Sequence, residues 1–546
     1  MDRKTSEPRV MHSRLTFRGM AGVPASLLLA LSLGWAQTSN RAPSGAVQQP
    51  AQGQAQSSQN SAARQEKPSS KPEEELQAGE TKISPKEADE LFRSVDQILK
   101  FSSQDTLLPI RHEVKRRLTS RDQVVSYLEK HMKEDRDAKR LKRSELVLKK
   151  FGLLPSDFDL HSFLISLLRE QVAGYYDVQT KTVNLLDWVD AEQQKPVLAH
   201  ELTHALQDQS FNLEKWMKVG EKDLGDSEGN PTPEEIERDE AQTVRQSVVE
   251  GQAMAVLVDY MLAPTGQSLT TSPQIVAALK EGMLVGTADS VQFHNAPIFL
   301  KEILTFPYRY GLDFVSDVLQ KYGKEKAFSG ILANPPRTTR QIMEPKTYLE
   351  GERIDPMPLP DFAQLTKNYQ KFDVGSMGEF DVALLVDQYA GVDASHELYP
   401  QWRGGYYYAA RPKGDPAAPL GLLYVSKWAT QEAARRFAGV YAAYLEKRYR
   451  SVRPVNGDSE AQQQALSKTV TLTGKHEWLT EDGDVLIDVD GDTVVVTESL
   501  DDLTSEKLRT AVIAAGQHED STDNRADAIW FLPRPQAESD ARWLEP

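Results

Sequence analysis

Two histidines four residues apart, His200 and His204, constrain the fold of this chain more than any other feature. Residues at positions i and i+4 of an α-helix lie on one face, so the two rings can reach a common ion if this segment is helical. The flanking sequence favours a buried helix, beginning at Asp190 or near Pro196. Its apolar positions are Val197, Leu198, Leu202, Ala205 and Leu206.

The residue types in His200-Glu201-Leu202-Thr203-His204 are those of a catalytic zinc site. The chain contains no cysteine, so a transition metal would need histidine and carboxylate ligands. A catalytic zinc ion has three protein ligands and one open position, where it lowers the pKa of a bound water molecule to about 7. We predict one zinc ion per chain, held by His200 and His204, with Glu201 as the general base. The alternative is a solvated pair of helical histidines without a metal.

Glu250 is the predicted third ligand. It lies where a long helix, predicted from a capping box at Thr232 to about Leu262, becomes apolar, and a carboxylate beside apolar residues needs a partner. A glycine inside a helix costs about 1 kcal/mol relative to alanine, and close approach to the helix with the two histidines would explain Gly251. The alternative is a solvated glutamate, because other acidic residues precede it on the same helix. These are Glu237, Asp239 and Glu240.

The segments His-Glu-Leu-Thr-His-Ala-Leu-Gln-Asp-Gln at 200–209 and Glu-Gly-Gln-Ala at 250–253 resemble the gluzincin-type zinc metallopeptidases of the zincin group, including exported bacterial members. Two predicted strands, Gly174–Tyr176 and Thr182–Leu186, are similar to the strand pair that forms the substrate-binding edge in these enzymes. The resemblance covers about residues 165–265. It implies a zincin-like catalytic domain, a peptide or protein substrate and endopeptidase activity.

The chain departs from the better-known members of this group at two supporting positions. Met254 stands where thermolysin-like enzymes have an aspartate that orients the first histidine, so Asp208 or Asp259 is predicted to support the ligands instead. A group that stabilises the oxyanion is also expected. Its candidates, for each of which a structural role is favoured, are Tyr308, Arg309, His294 and Tyr406.

The N-terminal residues have the composition of an export signal. Basic residues precede an apolar stretch from Met20 to Trp35, and small residues favour cleavage after Ala36. An uncleaved membrane anchor is the alternative. No later segment has the length of a membrane-spanning helix, so an exported protein, periplasmic or extracellular and without a stable membrane span after cleavage, is predicted. A net charge of −16 argues against nucleic-acid binding.

The remaining chain is predicted to have a mixed α+β fold. A signal peptide (1–36) and a disordered linker rich in Gln, Ser, Ala and Pro (37–82) precede a mainly helical zincin-like domain (83–375), with its short strand pair beside the active-site helix. A smaller C-terminal α+β module (376–517) and a loosely ordered tail (518–546) follow. Helices are predicted in the module near 430–448 and 502–515. The predicted strands are Tyr406–Ala410, Leu420–Ser426, Thr469–Leu472, Val485–Val489 and Thr493–Thr497.

The leading functional hypothesis is a zinc-dependent metallopeptidase that hydrolyses peptide bonds with a zinc-activated water molecule and with Glu201 as the general base. A non-catalytic binding or scaffold protein that keeps the zincin fold outside the cytoplasm is the alternative, and a zinc hydrolase of another amide, such as a cell-wall crosslink, is a third. Asp488–Asp492 does not fit a calcium loop, because an EF-hand needs Gly and Glu at positions that here hold Thr493 and Ser499. A tight turn between two strands explains this segment better. The sequence leaves the substrate and the oligomeric state open.

Overall fold

The computed structural model describes residues 82–124, 126, 135–170, 174–218, 223–286, 290–455 and 471–529. The predicted signal peptide, nearly all of the predicted linker and residues 530–546 of the predicted tail lie outside these ranges. The fold is mixed α+β, as predicted, with two β-sheets and many helices. None of the helices in the described ranges combines the length and the apolar character that a membrane span requires.

The first described helix, Pro85–Thr106, begins at a capping box. The Ser84 hydroxyl accepts a hydrogen bond from the Glu87 N–H, and the Glu87 carboxylate accepts one from the Ser84 N–H at 2.7 Å. These reciprocal bonds satisfy backbone donors that have no partner within the helix. The shorter helices before residue 375 are Asp135–Lys150, Leu160–Glu170, Leu213–Met217, Pro233–Arg238, Ile275–Gly286, Val291–His294, Ile331–Ala333, Thr339–Met343, Pro345–Leu349 and Phe362–Leu365.

A three-stranded sheet lies beside the helix that carries the two histidines. Its strands are β1 (Lys115–Thr119), β2 (Tyr175–Asp177) and β3 (Thr182–Leu186), in the order β1–β3–β2. Strand β2 runs antiparallel to β3, and β1 runs parallel to it. The two predicted strands are therefore confirmed. Strand β1 was not predicted, because its sequence Lys-Arg-Arg-Leu-Thr lacks an apolar alternation and its conformation depends on pairing with β3.

Two helices carry the predicted ligands: the motif helix, Ala191–Phe211, and the glutamate helix, Ala241–Leu262. The predicted helix from Thr232 to Leu262 is interrupted. The Thr232 capping box opens a short helix, Pro233–Arg238, and the chain turns at Asp239 and Glu240 before the glutamate helix begins. The carboxylates at this break accept hydrogen bonds from backbone N–H groups of Ser376 (3.1 Å) and Thr339 (2.6 Å), which fix the turn.

A third helix, Ile298–Glu325, crosses the glutamate helix at a contact between two glycines; we call it the long helix. A Cβ added to Gly251 would lie 2.2 Å from the carbonyl oxygen of Gly311, and one added to Gly311 would lie 2.2 Å from the carbonyl oxygen of Ser247. The two backbones therefore touch. The prediction that Gly251 allows close approach of the motif helix is wrong, because the backbone that approaches Gly251 belongs to the long helix. The long helix kinks at Gly323 and is followed by a π-helical turn, Lys326–Gly330.

A seven-stranded antiparallel sheet occupies the C-terminal region of the described chain, in the order β4–β5–β6–β10–β9–β8–β7. Its strands are β4 (Tyr369–Ser376), β5 (Trp402–Pro412), β6 (Gly421–Trp428), β7 (Val452–Pro454), β8 (Gly474–Thr480), β9 (Gly483–Asp490) and β10 (Thr493–Glu498). The helices of the C-terminal region are Glu379–Ala390, Val392–Leu398, Gln431–Ala443, Leu445–Arg448 and Asp502–Ile529.

Most predicted elements of this region are found, and one is displaced. Strands β5, β6, β9 and β10 match their predictions, and Gly491 takes a positive φ of 59° in the tight turn between β9 and β10. A strand is predicted at Thr469–Leu472, but Leu472 is not in a strand. The strand of this part of the chain is β8, which begins at Gly474. The sequence of β8, Gly-Lys-His-Glu-Trp-Leu-Thr, is largely polar because only one face of the strand is buried.

The two predicted domains share one hydrophobic core. Strand β4 already belongs to the large sheet, so this sheet begins before the boundary drawn at residues 375 and 376. Buried apolar side chains form one continuous cluster from Leu91 in the first helix to Val496 in β10. A second cluster, which includes Tyr406 and Leu508, lies on the opposite face of the sheet. The chain therefore folds its C-terminal region onto its helical region through apolar contacts.

A buried group of charges also joins these regions; we call it the Glu498 cluster. The Glu498 carboxylate accepts hydrogen bonds from Arg448 (2.7 Å) and from the Tyr441 hydroxyl (2.5 Å), and it lies 3.7 Å from the Lys150 ammonium. Burial would raise the pKa of Glu498, but the two cations outweigh it and lower the pKa to about 2. Lys150 ends a helix of the helical region, so this ion group spans the predicted boundary.

Candidate metal centre

The side chains of His200, His204 and Glu250 converge. The Nε2 atom of His200 lies 3.0 Å from the Oε2 atom of Glu250 and 3.0 Å from the Nε2 atom of His204. The distance between His204 Nε2 and Glu250 Oε2 is 3.5 Å. Three atoms at these separations can all lie about 2.0–2.2 Å from one point, which is the bond length that zinc makes to nitrogen and oxygen. The geometry of the three predicted ligands therefore fits a zinc ion.

Burial and charge also fit a cation at this position. All three side chains are buried, and burial lowers the pKa of His200 to about 4. Burial also opposes a charge on His204, but the Glu250 carboxylate outweighs it and raises the pKa of His204 to about 9. Burial would raise the pKa of Glu250, yet the two histidines lower it to about 2. Without a metal, the protonated His204 thus neutralises the buried Glu250 carboxylate.

Zinc binding is therefore expected to release at least one proton per chain at pH 7. Because His204 is protonated below about pH 9 and a ligand histidine must be neutral, zinc affinity should rise at least about tenfold per pH unit as the pH increases towards 9. Calorimetric titration in buffers of different ionisation enthalpy measures the released protons. Binding without proton release would contradict this charge assignment.

Glu201 lies beside the ligands with one carboxylate oxygen unpaired. Its Oε2 atom accepts a hydrogen bond from the Tyr176 N–H of β2 at 2.7 Å, and its Oε1 atom has no hydrogen-bond partner within the described ranges. Ligand atoms of His200, Glu201 and His204 all lie within 4.8 Å of one another. Burial raises the pKa of Glu201 to about 8, and a bound dication would favour its ionised form. The free oxygen is suited to accept a proton beside the metal position.

Of the four candidates for oxyanion stabilisation, Tyr308 alone lies at this centre. Its ring stacks on the His200 ring, with 6.4 Å between the ring centroids and 29° between the planes. Arg309 forms an ion pair with Glu302 at 2.9 Å, and His294 is exposed. Tyr406 belongs to the second hydrophobic cluster, on the opposite face of the large sheet. Arg309, His294 and Tyr406 are therefore not positioned to stabilise an oxyanion at this centre.

Neither aspartate predicted to support the histidines contacts them. Asp208 accepts hydrogen bonds from the Tyr176 hydroxyl (2.9 Å) and the Lys181 ammonium (2.6 Å), and Asp259 accepts one from the Leu269 N–H (2.5 Å). The prediction is therefore wrong. The Nδ1 atom of His204 lies instead 2.9 Å from the Oε1 atom of Gln207. The spacing of three residues, which places Gln207 on the same helical face as His204, was the sequence signal for this contact.

A cleft of about 570 Å³ opens between the C-terminal end of the motif helix, β2 and the segment that leads into β1. Its walls include Tyr176, Lys181 and Asp208, which the hydrogen bonds described above connect to one another. His112 and Gln209 also line it. Tyr176 lies in the wall of this cleft and contacts Glu201 through its backbone, so it links the cleft to the predicted metal centre.

Residues 367–508 match a family described as a domain of unknown function, DUF8575. No curated protein and no solved structure matches the chain. The matched segment comprises the large sheet and the start of the last helix, and it does not include His200, Glu201, His204 or Glu250. The support for a metal centre is therefore the geometry and chemistry of the site itself.

Proposed function

We propose that this protein is an exported zinc-dependent peptidase, with a zincin-like catalytic region, that hydrolyses peptide bonds in peptide or protein substrates. The observation that carries the proposal is the convergence of His200 Nε2, His204 Nε2 and Glu250 Oε2 beside the unpaired oxygen of Glu201. Three protein ligands leave one position for water or substrate, which distinguishes a catalytic zinc site from a structural one.

Zinc bound at this site would act as a Lewis acid and lower the pKa of a water molecule. Glu201 would accept the proton of that water and later donate it to the leaving amine. The Tyr176 N–H holds one oxygen of Glu201, so the other oxygen can face the reacting atoms. Burial excludes bulk water from the carboxylate, which favours transfer of the proton to the substrate.

Strand β2 is the proposed site for the substrate backbone. It is an edge strand of the three-stranded sheet, and its Tyr176 N–H points to Glu201. Because Glu201 already accepts the Tyr176 N–H, a peptide in an extended conformation would add to this edge through the outward-facing carbonyl of Tyr176. The adjacent cleft, with Lys181 and Asp208 in its walls, would then receive a substrate side chain.

The proposal is tested by measuring metal content and peptide hydrolysis on the same preparation. We expect one zinc ion per chain, cleavage within a broad peptide library, loss of cleavage with a chelator and recovery when zinc is added back. Protein that binds zinc but cleaves no peptide would favour the alternative, a zincin-fold binding or scaffold protein. Digestion of peptidoglycan but not of peptides would favour a hydrolase of cell-wall crosslinks.

Replacing Glu250 with glutamine should weaken zinc binding by about 100-fold or more, since the change removes the anionic ligand while keeping the size of the side chain. Competition with a chromophoric chelator measures the dissociation constant. The matched control is Glu237→Gln, on the short helix that precedes the glutamate helix, which should bind zinc like the wild type. Equal affinities for Glu250→Gln and the control would exclude Glu250 as a ligand.

A further inference from the structure

We propose that Gln207 and Gln252 form an amide relay that fixes the orientation and the tautomer of the His204 ring for metal binding. This inference rests on the proposed zinc centre, and it assigns a positioning role to two residues that contact no substrate. Both side chains are fully buried, and they connect the motif helix, the glutamate helix and the π-helical turn Lys326–Gly330.

The relay has a single consistent pattern of donors and acceptors, which begins at the π-helical turn. The side-chain nitrogen of Gln252 lies 2.8 Å from the carbonyl oxygen of Ala327 and 3.0 Å from that of Phe328. Carbonyl oxygens only accept hydrogen bonds, so the NH₂ group of Gln252 must face them. The Oε1 atom of Gln252 must therefore face Gln207.

The orientation of Gln207 follows from two independent contacts. Its Nε2 atom lies 2.8 Å from the Oε1 atom of Gln252 and 3.1 Å from the carbonyl oxygen of Val249. Both partners are acceptors at these contacts, so the NH₂ group of Gln207 must face them. Its Oε1 atom then faces the Nδ1 atom of His204 at 2.9 Å. An amide oxygen accepts only, which requires a proton on Nδ1.

A proton on Nδ1 leaves the lone pair of neutral His204 on Nε2. That nitrogen is the one that lies 3.0 Å from His200 Nε2 and 3.5 Å from Glu250 Oε2. The relay therefore selects the tautomer that can bind a metal at the site. It also holds the ring in place, because neither amide can rotate by 180° without placing an oxygen against a carbonyl oxygen.

The same relay couples His204 to Glu250. Gln207 bonds to the carbonyl of Val249, which precedes Glu250, and Gln252 lies two residues after Glu250 on the glutamate helix. Two ligands on different helices are thus held at a fixed separation by the amides between them. Polar contacts around metal ligands of this kind affect metal affinity by about 10–100-fold.

The test compares zinc affinity in wild type, Gln207→Met, Gln252→Met, the double variant and a matched control. Methionine keeps the length of glutamine but offers the ring no amide acceptor. We expect Gln207→Met to bind zinc about 10–100-fold more weakly, and the double variant to bind no more weakly than Gln207→Met, because Gln252 acts through Gln207. The control is Gln246→Met, a buried glutamine of the glutamate helix whose Oε1 atom has no partner within the described ranges. Its affinity should stay within twofold of wild type.

The outcomes separate this inference from the proposed function. If the wild-type protein bound no zinc, the metal centre would be refuted. If the wild type bound zinc and Gln207→Met had the same zinc affinity as Gln246→Met, the relay alone would be refuted. A measurement on the wild type covers the case in which Gln207→Met does not fold. In zinc-loaded protein with ¹⁵N-labelled histidine, the Nδ1 atom of His204 should carry a proton. Zinc bound to Nδ1 of His204 would overturn the relay.

Discussion

Glu201→Gln is expected to lower kcat for peptide hydrolysis by about 10²–10⁴-fold while the protein keeps its zinc, which is the effect of removing a general base. The amide can still accept a hydrogen bond from the Tyr176 N–H, so the fold around β2 should not change. It cannot accept a proton at neutral pH. Steady-state kinetics on a cleaved library peptide, with zinc content measured on the same sample, tests this prediction.

A matched control for this variant is Glu192→Gln, in the first turn of the motif helix. Glu192 is exposed and forms an ion pair with Lys195, and it does not contact the ligands. Its kinetics should match those of the wild type. If Glu201→Gln retained zinc and cleaved as fast as Glu192→Gln, the role of Glu201 as general base would be refuted.

Gly311→Ala should destabilise the protein by about 3 kcal/mol or more, at or above the upper end of the range for added atoms in a packed core. The new methyl group would lie 2.2 Å from the carbonyl oxygen of Ser247, and a backbone atom cannot rotate away as a side chain can. The long helix must move from the glutamate helix, so Glu250, adjacent to Gly251, should also be displaced. Urea unfolding and zinc affinity report these two effects.

Gly516→Ala is the matched control for the glycine contact. Gly516 lies in the last helix, and a Cβ added there meets no atom within 4 Å. Alanine at this position should leave stability unchanged or raise it by up to about 1 kcal/mol through its higher helix propensity. Equal unfolding midpoints for Gly311→Ala and Gly516→Ala would show that the helices tolerate the extra methyl group.

The convergence of His200, His204 and Glu250 could be predicted from the sequence because the signals for it are local. His200 and His204 share one helical face by spacing alone, and Glu250 was marked by the apolar residues that follow it on its helix. Strands β2 and β3 were likewise predictable from short runs of residues with β-propensity and a turn between them. Each of these signals lies within one helix or one strand pair.

Features that depend on partners far along the chain were not predicted. The contact of Gly251 with Gly311 joins residues on two helices, and no local pattern specifies which helix a glycine faces. The break at Glu240 depends on Thr339, about a hundred residues away. Gln207 has the spacing from His204 that its contact requires, but carboxylates are the commoner partners of ligand histidines, so the sequence favours the aspartates.

The Glu498 cluster bears on how such a chain can evolve. A segment that moves between genes as a cassette must bury its own charges and its own apolar surface. Residues 367–508 do not meet this condition here, since Glu498 lies beside Lys150 and the Tyr389 hydroxyl donates to the carbonyl of Phe151, both contributed by the helical region. Gene fusion alone would remove Lys150 from the Glu498 cluster and would remove the carbonyl to which the Tyr389 hydroxyl donates. The matched segment is therefore expected to be less stable when it is produced without the helical region than when it is part of the whole chain.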